Sequence, residues 1–127
     1  IENDRLDEFA VEEGFGLAVF SPLHQGILTD RYLDGVKPDT RKKVRNWVDG
    51  MVTDEIISKV NNLNEIASNR GQKLSQMALS WVLRNGRVTT VLVGASRPEQ
   101  IIENAECVEK MNFTDDELNE IEKIIGK

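Results

Sequence analysis

A short turn of small residues separates a β-branched, apolar run at residues 88–93 from a predicted helix. Ser96 and Glu99 have the spacing of an S-x-x-E capping box, and Pro98 lies in the first helical turn, where its missing N–H costs nothing. Such a junction directs free backbone N–H groups and the positive end of the helix dipole to one point. Arg97 adds a planar cation there. The combination predicts a phosphate-binding site.

A purely structural interpretation of this junction stays open. Strand–turn–helix junctions are common in α/β proteins, and a short motif is a hypothesis until its context is known. The segment has neither the G-x-G-x-x-G pattern nor the P-loop pattern. The phosphate prediction therefore depends on what else lies nearby.

A second junction of the same kind lies upstream. Residues 17–20 form an apolar run long enough for one buried strand. Ser21 ends the run because a residue before proline, here Pro22, disfavours helical geometry. Gly26 then permits a close backbone approach or a positive φ. Ligands of parallel α/β folds bind at the carboxyl ends of the strands, so we expect both turns to face one site.

Three segments, in order and with matching spacing, resemble the C-terminal half of the aldo-keto reductases: FSPLHQGILTDRY, SQMALSWVLRNGRVTTVLVGAS and SRPEQIIEN. The most similar branch holds the bacterial glyceraldehyde-3-phosphate-type reductases and the potassium-channel β subunits. The resemblance runs from about Glu13 to the C-terminus and is weakest between Lys37 and Val52. It implies an α/β fold, the C-terminal part of a (β/α)8 TIM barrel. About the last two strand–helix units and a C-terminal helix would be present, so this chain would be mostly helical.

The resemblance also implies an activity. Proteins of this kind bind NADPH across the carboxyl ends of the barrel strands and reduce aldehydes or ketones to alcohols by hydride transfer. The alternative is a non-catalytic, NADP(H)-sensing interaction subunit like the potassium-channel β subunits. The part of the protein that binds the cofactor looks alike in both, so this sequence does not separate them. A small-molecule aldehyde or ketone is the substrate expected of the first.

Two motifs would hold the cofactor in such proteins, S-P-L-x-x-G-x-L at the pyrophosphate and G-A-S-x-x-E-Q-x-x-E-N at the adenosine end. By match, the pyrophosphate residues are Ser21, Pro22, Leu23, Gln25, Gly26, Leu28 and Arg31. By the same match, Gly94, Ser96 and Arg97 would meet the 2′-phosphate, and Gln100, Glu103 and Asn104 the adenine and ribose. The last three are spaced to share one helix face. Arg41 aligns with an arginine that sometimes folds over the cofactor, although the basic run at residues 41–45 also fits a solvated loop.

No catalytic residue is assigned to this chain. The family's aspartate, tyrosine, lysine and histidine all come from the first half of the barrel. Tyr32 follows the pyrophosphate motif, and His24 lies inside it, where we expect a loop side chain at the cofactor lip. No metal site is predicted.

Length leads to the same expectation. A (β/α)8 barrel takes about 250 residues, whereas this chain has 127 residues and two convincing strands, 17–20 and 90–93. We therefore expect residues 1–127 to be the C-terminal fragment of a single aldo-keto reductase barrel domain. It would start within a helix that Gly14 ends and that places Leu6, Phe9 and Ala10 on one face.

Composition excludes some classes of function. The net charge of −6 argues against a nucleic-acid partner, which favours a basic surface. The single cysteine, Cys107, fits a reducing, cytoplasmic compartment. No apolar run approaches the ~20 residues of a membrane span, and no signal peptide is visible.

Helices are predicted to form the rest of the chain. Their expected ranges are 53–70, 75–85, 98–110 and 114–125. Thr53 or Asp54 would cap the first and Ser75 the second, while Thr114 and Glu117 form a capping box at the last.

Overall fold

The computed structural model describes residues 2–34, 48 and 50–126. Five α-helices and two short strands lie within those residues. They are α1 (Leu6–Glu12), β1 (Ala18–Phe20), α2 (Asp54–Asn69), α3 (Leu74–Leu83), β2 (Thr90–Leu92), α4 (Pro98–Ala105) and α5 (Asp115–Ile125). Three 3₁₀ turns lie at His24–Gly26, Asp30–Tyr32 and Glu106–Lys110. The described chain is thus mostly helical, as predicted.

The two strands form a parallel pair. Ala18 lies opposite Thr90 and Phe20 opposite Leu92. The Leu17 carbonyl accepts hydrogen bonds from the N–H groups of Thr89 (2.9 Å) and Thr90 (3.2 Å), which extends the pairing at its start. Both predicted strands are confirmed, each one residue shorter than expected. The connection between them passes through α2 and α3, as a parallel crossover requires.

The core lies between α2, α3 and α5. Its buried side chains are Ile27, Tyr32, Val48, Val60, Leu63, Ile66, Ala67, Leu74, Met77 and Ile121. Ile27 and Tyr32 come from the loop that follows β1, so this loop is anchored in the core rather than lying loosely on the surface. The helices supply the apolar faces that their 3.6-residue periodicity predicts.

The predicted caps of α2 and α5 are confirmed. Thr53 Oγ1 accepts a hydrogen bond from the Ile56 N–H at 3.3 Å. At α5, the Thr114 N–H donates to Glu117 Oε2 at 2.8 Å, and the Glu117 N–H donates to Thr114 Oγ1 at 3.2 Å. Both helices therefore begin at the residues that their local sequence predicts.

The predicted cap of α3 is wrong. The helix begins at Leu74, with Lys73 rather than Ser75 as its N-cap. The side-chain oxygen of Gln76 accepts the Lys73 N–H at 2.8 Å, and the N-cap therefore lies two residues before Ser75. A glutamine at the third helical position that accepts the N-cap N–H makes one half of a capping box, so the helix starts here without a serine cap.

The predicted helix 98–110 is also wrong in its second half. The α-helix ends at Ala105 and continues as a 3₁₀ turn to Lys110. Side chains of α3 hydrogen bond to the carbonyl oxygens of Glu103 and Cys107 in this stretch. Carbonyls that have such partners do not need the next intrahelical N–H, so the tighter turn is satisfied.

The apolar face predicted for α1 is buried only in part. Ala10 is buried, whereas Leu6 and Phe9 are exposed and Asp7 is 2% exposed. Asp7 Oδ2 lies 3.0 Å from Arg87 Nη1, and this contact holds α1 against the segment before β2. The Arg87 hydrogen bond is the largest of the effects that hold the pKa of Asp7 below its usual value.

Candidate functional site

The register of the parallel pair brings two turns to one edge of the sheet. Phe20 and Leu92 are opposite each other, and each is the last residue of its strand. Ser21 therefore leaves the sheet on the same edge as Val93, which precedes the turn that begins at Gly94. The two turns therefore lie at the same edge of the sheet, while their facing a common ligand site stays a prediction.

The turn after β1 holds backbone conformations that L-amino acids rarely adopt. Ser21, His24 and Gln25 have φ of 55°, 46° and 58°, and Gly26 has φ of 93°. A non-glycine residue in this region costs about 1–3 kcal/mol, and such residues concentrate where proteins bind ligands. The positive φ predicted for Gly26 is confirmed, and a Cβ placed there would meet nothing within 4 Å.

Hydrogen bonds hold this turn in place. The Leu23 carbonyl accepts from the N–H groups of Gly26 (2.9 Å) and Leu28 (3.2 Å). Thr29 Oγ1 donates to the Gly26 carbonyl at 2.7 Å and accepts the Arg31 N–H at 3.3 Å. The strained conformation is therefore a fixed shape rather than a flexible segment.

The side chains of the turn divide into two groups. His24 and Gln25 are exposed at the lip, whereas Pro22, Leu23, Leu28 and Arg31 are half-buried. The Arg31 guanidinium lies 5.5 Å from the centre of the Tyr32 ring. A hollow of about 220 Å³ opens between the lip and Met51. The predicted pyrophosphate residues thus lie together around one turn.

The helix start after β2 differs from its prediction. Arg97, not Ser96, is the N-cap of α4, and Pro98 is its first residue. The third helical position is therefore Gln100 instead of Glu99, and the S-x-x-E capping box does not form. Gln100 Oε1 accepts the N–H groups of Ser96 (2.9 Å) and Arg97 (3.3 Å) and lies 3.1 Å from Ser96 Oγ.

This arrangement changes which groups are available to an anion. The backbone N–H groups of Ser96 and Arg97, expected to be free, are held by Gln100. The Arg97 side chain is exposed, and within the described parts of the chain no ion pair uses its guanidinium. Gly94 and its neighbours in the turn are exposed as well.

The far end of α4 holds two of the predicted adenosine residues. Asn104 is buried and Glu103 is half-buried. Glu103 Oε1 lies 2.7 Å from Lys73 Nζ, and this hydrogen bond is the main reason that the pKa of Lys73 is raised. The Glu103 carboxylate therefore lies beside the start of α3.

Sequence reasoning missed the part of α3 that holds α4. Gln76 donates to the Glu103 carbonyl at 2.8 Å and to Glu106 Oε2 at 2.9 Å, and Ser80 Oγ lies 2.8 Å from the Cys107 carbonyl. One signal was present in the sequence. Gln76 and Ser80 are four residues apart and so form a polar pair on one face of a helix that is otherwise apolar.

Other kinds of site find no support in the described residues. Residues 2–34, 48 and 50–126 hold no group of three or more metal-ligating side chains. Over the same residues, no helix is long and apolar enough to cross a membrane. Arg41 and the basic run at residues 41–45 lie outside the described residues.

Comparison with known sequences identifies the family. The sequence model of the Aldo/keto reductase family matches residues 1–126. The L-glyceraldehyde 3-phosphate reductase of Escherichia coli K12 is 44% identical over 131 residues, which cover 99% of this chain and 38% of that protein. A putative voltage-gated potassium channel subunit beta of Schizosaccharomyces pombe is 37% identical over 119 residues, which cover 89% of this chain and 35% of that protein.

Comparison with solved structures identifies the fold. The glycerol dehydrogenase of Gluconobacter oxydans superposes with a TM-score of 0.78 at 19% identity, over 97% of this chain and 38% of that protein. A thermostable aldo-keto reductase bound to the inhibitor epalrestat superposes with a TM-score of 0.64 at 24% identity, over 97% and 34%. The chain spans less than two fifths of the length of these relatives. It is part of a TIM barrel, and it belongs to the aldo/keto reductase family.

Proposed function

We propose that residues 1–127 are the C-terminal part of one aldo-keto reductase barrel domain and form the NADP(H)-binding part of a carbonyl reductase. The full-length protein would reduce an aldehyde or ketone to an alcohol. NADPH supplies the hydride in such a reaction. The observation that carries the proposal is the shared sheet edge, where the strained turn after β1 and the start of α4 lie on the same side.

Each element has a separate role in this proposal. The turn at Ser21–Gly26 receives the pyrophosphate, where Gly26 leaves open space beside the backbone. The Arg97 guanidinium receives the 2′-phosphate, since Gln100 already occupies the backbone N–H groups of Ser96 and Arg97. Gln100, Glu103 and Asn104 line the adenosine end.

A second candidate is a non-catalytic subunit that binds NADP(H) and a partner protein. The similarity to the fission yeast potassium-channel subunit favours it. The higher identity to the bacterial reductase favours the enzyme. Aldehyde-dependent oxidation of NADPH by the full-length protein separates the two, because a sensing subunit does not turn over. A cytoplasmic location stays a prediction from the single cysteine.

Arg97→Ala tests the cofactor assignment in the full-length protein. A hydrogen bond to a charged group contributes about 1.5–3 kcal/mol, so the loss should weaken NADPH binding by about tenfold or more. NADH binding should stay nearly unchanged because NADH lacks the 2′-phosphate. Fluorescence titration of both cofactors measures the difference.

Lys59→Ala is the matched control. It removes one positive charge from the exposed side of α2, where Lys59 pairs with Glu55 at 2.8 Å. It should leave the affinity for both cofactors unchanged. Equal losses of NADPH and NADH binding in Arg97→Ala would show that Arg97 does not recognise the phosphate.

A further inference from the structure

Polar side chains of α3 hold the C-terminal end of α4, and Gln76 makes most of these bonds. Its side chain is buried, with 7% of the residue exposed. Oε1 accepts the Lys73 N–H at 2.8 Å, while Nε2 donates to the Glu103 carbonyl at 2.8 Å and to Glu106 Oε2 at 2.9 Å. A primary amide has two N–H donors, so both donations are made at the same time.

Neighbouring groups reinforce this contact. Ser80 Oγ is fully buried, accepts from Gln72 Nε2 at 3.0 Å and lies 2.8 Å from the Cys107 carbonyl. Lys73 Nζ lies 2.7 Å from Glu103 Oε1. This ion pair is exposed, so it adds little to the strength of the contact.

The bonded carbonyls lie where α4 gives way to the 3₁₀ turn. The last carbonyls of a helix have no intrahelical partner, so outside donors can decide how the helix ends. Gln76 supplies the donor for Glu103, whose carbonyl belongs to the peptide unit that also contains the Asn104 nitrogen. Gln76 therefore holds the backbone from which the Glu103 and Asn104 side chains project.

We infer that Gln76 is a positioning residue for the adenosine end of the cofactor site. The inference rests on the proposed function. Gln76 contacts α4 from the side of α3 and acts through Glu103 and Asn104. A binding group is most effective when the shell behind it fixes its geometry. Gln76 thus belongs to the recognition of the adenosine half and not of the nicotinamide half.

Gln76→Leu in the full-length protein tests the inference. The substitution keeps the volume and removes all three hydrogen bonds. The dissociation constants of NADPH and of 2′,5′-ADP should both rise about three- to tenfold. The dissociation constant of reduced nicotinamide mononucleotide should not change, nor should the KM of the carbonyl substrate at saturating NADPH. Fluorescence titration and calorimetry measure this split between the two halves.

Gln76→Glu separates the tie to α4 from the capping of α3. A carboxylate still accepts the Lys73 N–H but donates to neither Glu103 nor Glu106, and it repels Glu106. The same loss of 2′,5′-ADP affinity is expected as in Gln76→Leu. If Gln76→Leu unfolds at the temperature of titration, Gln76→Glu is used to test the inference. Full affinity in Gln76→Glu would overturn the inference.

Thr53→Ala is the control for general destabilisation. It removes the N-cap of α2, away from α4, and should lower the melting temperature. The affinities for 2′,5′-ADP and for reduced nicotinamide mononucleotide should not change. If Thr53→Ala lost as much affinity for 2′,5′-ADP as Gln76→Leu does, the positioning role of Gln76 would be overturned.

The proposed function and this inference fail in different ways. Wild-type protein that binds neither NADPH nor 2′,5′-ADP contradicts both. Wild-type protein that binds them, together with unchanged affinity in Gln76→Leu and Gln76→Glu, overturns the role of Gln76 alone.

Discussion

Gly26 lies in the left-handed region at φ 93°, next to three non-glycine residues that share that region. Its backbone is held by the Thr29 hydroxyl and by the Leu23 carbonyl. A side chain there would be strained although it would meet no atom. The open space beside Gly26 is the space that the proposed pyrophosphate occupies. Two effects of a substitution, backbone strain and obstruction of the ligand, can therefore be separated.

We predict that Gly26→Ala lowers stability by about 1–2 kcal/mol from backbone strain and weakens NADPH and NADH binding together. Gly86→Ala is the matched control, because Gly86 has φ 69° and also has open space around it. It should lower stability by a similar amount and leave cofactor binding unchanged. Denaturant unfolding and fluorescence titration measure the two effects. If the two variants changed cofactor affinity by the same amount, the turn after β1 would not be the part that receives the cofactor.

At the scale of elements, one arginine fastens α5 to the end of α2. Arg70 donates to Glu117 Oε2 at 2.6 Å, to Gln72 Oε1 at 2.9 Å, and to the carbonyls of Lys110 and Asn112 at 2.9 and 3.1 Å. Its guanidinium carbon lies 3.8 Å from the centre of the Phe113 ring, and the side chain is 6% exposed. Such a buried cation is stable because nearly every donor has a partner.

The pKa of Glu117 is affected in opposite directions by its surroundings. Burial raises it, but the Thr114 N–H and the Arg70 guanidinium together outweigh burial and hold it below its usual value of 4.5. A carboxylate with a lowered folded pKa stabilises the protein above its unfolded pKa. This contribution is lost as the pH falls through the folded pKa.

We predict that Glu117→Gln lowers the unfolding free energy by about 1–2 kcal/mol at neutral pH, since an amide keeps the cap but loses the charge. The difference from wild type should shrink as the pH falls below about 4.5. Glu120→Gln, at an exposed position on the same helix, should show no such pattern. Urea unfolding between neutral and acidic pH measures it. A difference that stays constant with pH would contradict the assignment.

At the scale of the whole molecule, an apolar face of the sheet is exposed. Phe20 is 79% exposed and Leu92 is 60% exposed, and the two lie opposite each other on the same face. The described sheet has two strands, so each strand has one edge that makes no sheet contact with the described residues. In a closed barrel such a face and such edges are covered by the other strands.

We predict that purified residues 1–127 self-associate, keep mainly their helices, bind NADPH weakly or not at all, and reduce no carbonyl substrate. Open edges and exposed apolar faces promote association. Light scattering, circular dichroism and NADPH oxidation measure these properties. Phe20→Ser should reduce self-association if the sheet face is responsible. Aldehyde-dependent NADPH oxidation by residues 1–127 alone, at a rate near that of the full-length protein, would refute the fragment proposal.

Features that depend on nearby residues could be predicted from the amino-acid sequence. Thr53, Thr114 and Glu117 start their helices through bonds to residues three positions away, and the positive φ of Gly26 follows from its lack of a Cβ. The apolar runs at residues 17–20 and 88–93 contain the two strands, and the aldo-keto reductase motifs could be recognised in the sequence in their usual order. Each of these signals acts within a few residues, so a local pattern contains all that is needed.

Features that depend on distant partners could not be predicted in this way, because the partners meet only in the folded chain. Asp7 is buried because Arg87, 80 residues away, lies beside it. The α-helix that begins at Pro98 ends at Ala105, near the point where Gln76 donates a hydrogen bond to the Glu103 carbonyl. Gln76 lies 27 residues before Glu103 in the sequence. Local patterns leave such choices nearly balanced in energy, and packing against other elements then selects one.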